Sequence, residues 1–103
     1  MADYVKVGST KDVPTSSIKT FMSGGKKIAV CCVDGEYFAI DDVCSHAECS
    51  LGNEGFMDGN AAICGCHGSQ FDVKTGKVLT LPATVDIASY PVKVEGEDIL
   101  VAV

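Results

Sequence analysis

Both histidines of this chain and four of its six cysteines fall into two short segments, Cys44-Ser45-His46-Ala47-Glu48-Cys49 and Cys64-Gly65-Cys66-His67. The first segment contains Cys-x-His and the second Cys-x-x-His, so each offers a thiolate and an imidazole at short spacing. Two sulfur and two nitrogen donors suit either tetrahedral zinc or an iron–sulfur centre. Taken singly, each of these residues reads equally well as a buried cysteine or a histidine satisfied by its neighbours. That reading does not explain why both histidines stand beside cysteines in matched segments. Elsewhere no nucleophile–base pair or general acid stands out. The chain therefore reads as a carrier or binder rather than an enzyme.

The charge distribution follows the same division. The chain has 103 residues, 47% hydrophobic and 21% charged, with eight lysines, no arginine and a formal charge of -6. Such a balance argues against a nucleic-acid binder, which needs a basic face. No glycine-rich phosphate loop is present. Between Lys27 and Lys74 there is no lysine or arginine, while Asp34, Glu36, Asp41, Asp42, Glu48, Glu54, Asp58 and Asp72 lie there together with every cysteine and histidine. A charge run is ordinarily a solvated face. Here it coincides with all the metal-binding residue types.

A β framework must position these segments. Lys27-Ile-Ala-Val-Cys-Cys-Val33 is an apolar strand, Asp34-Gly35 a two-residue hairpin turn, and Glu36–Ile40 the return strand. Tyr90–Glu95, a turn at Gly96 and Asp98–Val103 repeat the arrangement. Further strands are expected at Tyr4–Val7 and Ile18–Met22, joined onward by Ser23-Gly24-Gly25. Eleven glycines and frequent turn signals indicate an all-β antiparallel sandwich or small barrel, one domain over 1–103 with no helix. Residues 41–59 and 64–69 read as two loops projecting from it. Cys31 and Cys32 are neighbours in a strand, so they face opposite sides and serve as core packing. The longest apolar run, Ile28–Val33, is far short of the roughly 20 residues of a membrane span. The N-terminus lacks a signal-peptide pattern, and a cytoplasmic location is expected.

The two segments resemble the Rieske iron–sulfur proteins, whose pattern is Cys-x-His, a spacer of this length, then Cys-x-x-His. The resemblance runs from about Asp3 to Val103. Asp41-Asp42-Val43 and Phe71-Asp72-Val73-Lys74-Thr75-Gly76 are similar to soluble Rieske ferredoxins, and Leu81-Pro82-Ala83 resembles the proline loop that covers the cluster. It implies one [2Fe–2S] cluster, with Cys44 and Cys64 on one iron and His46 and His67 on the other. It also implies a disulfide between Cys49 and Cys66, at the positions of the extra cysteines in cytochrome bc and b6f Rieske proteins. Ser69 matches a serine that donates a hydrogen bond toward the cluster sulfurs in high-potential members. Phe71 stands where those members have a tyrosine donor.

By the same resemblance the protein passes single electrons from a flavin-dependent reductase to a terminal oxygenase or another redox protein, as a monomer docking transiently. Two neutral imidazoles in place of two thiolates raise the potential to roughly -150 to +300 mV, against about -400 mV for plant-type clusters. The missing donor and the acids Asp41, Asp42, Glu48, Glu54 and Asp58, screened by solvent, place this chain between disulfide-free ferredoxins and respiratory proteins. A histidine tip ringed by Ala47, Leu51 and Pro82 is expected to meet a basic patch on each partner. The alternatives are a zinc-stabilised interaction module with the same four ligands and a small Rieske-like subunit of a nitrite reductase-type complex.

Overall fold

The structure is a computed structural model that describes residues 4–23, 25–43, 49–65, 68–80 and 86–102. Antiparallel strands form three sheets, the all-β architecture expected. The middle sheet is built on the local hairpin of β3 (Lys26–Val33) and β4 (Glu36–Asp41), flanked by β2 (Ile18–Ser23) and the short β9 (Ser89–Tyr90). Asp34 and Gly35 both adopt positive φ, 50° and 84°, the conformation a type I′ turn requires. A second sheet places β11 (Asp98–Ala102) between β1 (Tyr4–Ser9) and β10 (Val92–Glu95).

β3 is the wall between two cores. Ala29 and Cys31 point into one of them, and Ile28, Val30 and Cys32 into the other, as strand alternation demands. The second core is completed by Val13, Ala39, Ile99 and Val101. The first carries Cys49, Leu51, Cys64 and Phe71, and so underlies the segments of interest.

The third sheet is not among the strands expected from the sequence, and its first strand falls inside the expected loop 41–59. It consists of β5 (Phe56–Asp58), β6 (Ala61–Ile63), β7 (Gln70–Asp72) and β8 (Val78–Thr80). Met57, Ala62, Phe71 and Val78 stand in register across all four strands and pack on the first core. The expected loop 41–59 therefore contains a strand, and it also contains a helical turn, α1 (Leu51–Glu54). A single turn with a glycine in it has no periodicity to betray it. Its one signal is Ser50, whose side chain accepts from the Asn53 amide as an N-cap. A 3-10 turn at Thr10–Asp12 likewise went unexpected. Among the described residues no helix is long and apolar enough to cross a membrane.

Candidate metal centre

Of the four expected ligands, Cys64 is described; Cys44, His46 and His67 lie outside the described residues, as do Cys66, Pro82, Ala47 and Glu48. Cys64 follows β6 directly and is 1% exposed, with its thiol free. Its loop is narrow: the Cys64 amide donates to the Ser69 carbonyl at 2.7 Å and the Gly68 amide to the Cys64 carbonyl at 2.8 Å. Gly68 has a φ of +80°, which suits glycine alone at low cost. Ser69 is fully buried at the loop's return. Phe71, also fully buried, is a core side chain two residues on. Cys49, Cys64 and Phe71 thus share one core beneath the two loops.

The short helix α1 stands between the loops. Its start is fixed to the first by the Ser50 cap. Its end abuts the second so closely that a Cβ on Gly65 would lie 1.7 Å from the Glu54 carbonyl oxygen. Leu51 is entirely buried in this helix. The expectation that it rims an exposed tip is therefore corrected: as the first helical residue it turns into the core rather than outward.

Asp42 organises the base of the first loop. It is fully buried, and its carboxylate accepts from Thr20 Oγ1 at 2.7 Å, Ser50 Oγ at 2.6 Å and the Gly52 amide at 2.9 Å. Its carbonyl accepts from the Leu51 amide at 2.7 Å, and Val43 bridges to Ser50. The chain leaving β4 and the chain entering α1 are thereby pinned to each other on either side of residues 44–48. Expected among the solvent-screened acids, Asp42 is instead shielded from water.

Asp41 points the other way, toward the chain that follows residues 81–85. Its carboxylate accepts from the Tyr90 hydroxyl and from the Ala88 amide, the latter at 3.1 Å. Burial raises the Tyr90 hydroxyl above its ordinary range, and the bond to Asp41 adds to the effect. Lys26 lies 4.8 Å from the Tyr90 ring centre, and its contact with Tyr90 raises its own titration. Thr20, Ser50, Gly52 and Tyr90 escaped the sequence reading, because their partners are distant in the chain.

The comparisons with known proteins agree with this architecture. The family model of the Rieske [2Fe-2S] domain matches residues 3–91. The ferredoxin component of the p-cumate 2,3-dioxygenase system of Pseudomonas putida is 39% identical over 104 residues, covering 100% of this chain and 88% of that protein. Among solved structures, the ferredoxin of carbazole 1,9a-dioxygenase from Nocardioides aromaticivorans IC177 superposes with a TM-score of 0.91 at 30% identity, covering 98% of both chains. A chain from a complex of reduced oxygenase and oxidised ferredoxin in carbazole 1,9a-dioxygenase gives 0.87 at 31% identity, covering 96% of this chain and 92% of that one.

The chain belongs to the Rieske [2Fe–2S] family, and within it to the ferredoxins. It holds one Rieske-type cluster and serves as an electron carrier, not as a catalyst. The described part of the site fits that group. A free thiol sits at the base of a loop held by backbone hydrogen bonds, within a core that keeps water from its sulfur. The cluster supplies a one-electron couple; the described part of the site supplies a buried, free thiol toward it.

Proposed function

We propose that this chain, as one Rieske domain with cluster-binding loops over about residues 41–82, receives an electron from a flavin-dependent reductase and delivers it to a terminal oxygenase in the cytoplasm. Cys44 and Cys64 would hold one iron, and His46 and His67 the other. The observation carrying this assignment is the free, buried thiol of Cys64 in the loop closed by Ser69 and Gly68. The oxygenase as acceptor is supported by the names of the relatives, which are components of dioxygenase systems.

A disulfide between Cys49 and Cys66 belongs to the same proposal. Supporting it, Cys49 is buried in the same core as Cys64, while Cys31, Cys32 and Cys64 are free thiols. Closing that loop contributes at most about 3 kcal/mol by chain entropy, and less where the cluster already ties the loops together. Ser69 and Phe71 flank the cluster in this reading, and the loop at Pro82 covers it.

The test is a visible absorption and EPR spectrum before and after dithionite, on the native protein and on Cys64→Ser and Cys31→Ser variants. A brown native protein giving a rhombic signal with average g below the free-electron value is expected. Cys64→Ser should lose the colour and Cys31→Ser should keep it. A colourless protein holding stoichiometric zinc would turn the same ligands into a structural staple and sink the carrier reading.

A further inference from the structure

The carboxylate of Asp42 is the one fully buried acid among the described residues, and it sits at the root of the first ligand loop. Three donors converge on it: the hydroxyls of Thr20 and Ser50 and the amide of Gly52. They come from β2, from the end of the ligand segment and from α1, so a single side chain joins three elements. None of the ion pairs among the described residues involves it. A donor set of this kind satisfies an anion without neutralising it. Negative charge placed where water cannot screen it acts on a neighbouring redox centre far more strongly than the same charge on the surface.

From this geometry we propose that Asp42 is a positioning residue with a second role: it fixes the first ligand loop and, as a buried anion, holds the cluster's affinity for an electron down. The inference rests on the ligand assignment above, in which Cys44 is two residues away. Opposing an incoming electron, the charge makes the reduced carrier a stronger donor to whatever accepts from it.

The two roles separate by substitution. Asp42→Asn can keep the whole network. Its Oδ1 still accepts from Thr20 and Gly52, and its Nδ2 donates to Ser50 Oγ, whose own proton turns to Thr20 Oγ1 only 3.0 Å away. Geometry is then preserved and the charge removed. Thr20→Val keeps the charge and deletes one anchor. Both proteins, as purified holoprotein, would be followed by redox titration in visible light and by thermal unfolding.

Asp42→Asn is expected to shift the reduction equilibrium toward the reduced form by roughly tenfold, as loss of a poorly screened charge demands, with its unfolding midpoint close to the parent's. Thr20→Val should lower the unfolding midpoint and leave the reduction equilibrium within about twofold of the parent's, as its charge is unchanged. An Asp42→Asn protein with the parent's reduction equilibrium overturns the electrostatic role. A Thr20→Val protein as stable as the parent overturns the positioning role. Failure of the ligand assignment itself is read separately, from a rhombic EPR signal that survives in Cys64→Ser or is lost in Cys31→Ser.

Discussion

The vicinal cysteines show how far a single residue's surroundings decide its chemistry. Cys31 is fully buried, and its sulfur lies 3.7 Å from the Phe38 carbonyl. Burial pushes its thiol up to about 12, with the neighbouring Cys32 adding to the effect. Below about pH 9 the thiol keeps its proton whether the chain is folded or not. Between about 9 and 12 the unfolded chain releases that proton and the folded one retains it, so stability falls as pH rises through this window. The loss amounts to at most about 4 kcal/mol. Denaturant unfolding followed from pH 8 to 11 should display that decline, and Cys31→Ala should flatten it; an equally steep decline in the variant would assign it to other groups, such as Tyr37 and Tyr90, whose hydroxyls burial also raises. The core role of both cysteines was legible from their adjacency in an apolar strand. The position of Asp42 was not. Nothing in Asp41-Asp42 tells which acid turns inward, because the donors that receive it come from residues 20 and 50–52.

At the scale of elements, glycine marks where the parts of the site approach one another. A Cβ on Gly52 would stand 2.1 Å from Thr20 Oγ1 and one on Gly65 1.7 Å from the Glu54 carbonyl oxygen, whereas one on Gly59 would meet nothing within 4 Å. Gly59 has a φ of +61°, so alanine there costs roughly 1–2 kcal/mol of backbone strain. Gly65→Ala has to push a ligand loop off a helix end, and about 3 kcal/mol or more is expected. Urea midpoints of the two variants, with iron content measured alongside, check this. Equal destabilisation and full iron in both would mean that the contact between α1 and the second loop is not needed. The hairpins of the framework could be read from alternation and turn residues, since those signals are local. The third sheet could not: its strands are three residues long, and the row Met57, Ala62, Phe71, Val78 acquires meaning only in register.

The whole molecule is electrically lopsided. Every lysine lies outside residues 28–73, the stretch that holds all the expected ligands and eight of the fourteen acids. The ion pairs Lys6–Asp98, Lys11–Glu97 and Lys93–Glu95 gather instead on β1, β10, β11 and the 3-10 turn. An acidic site end steers a partner that presents a basic face. Electron delivery to such a partner is expected to slow as salt rises from about 50 to 500 mM, roughly a threefold shortening of the screening length. Stopped-flow rates that stay constant across that range would count against charge-guided docking.

The placement of β3 between two unlike cores has a bearing on which lengths of chain the fold can accept. Its odd-numbered positions present small side chains, Ala29 and Cys31, to the site-bearing core that Phe71 fills, and its even-numbered ones present Ile28 and Val30 to the other. A residue inserted or deleted within this strand would exchange the two sets at one stroke, crowding one core while hollowing the other. The Asp34–Gly35 turn is exposed and lies in neither core. Length variation in the framework is thus confined to its turns, and the strand on which the site rests has a fixed reading frame.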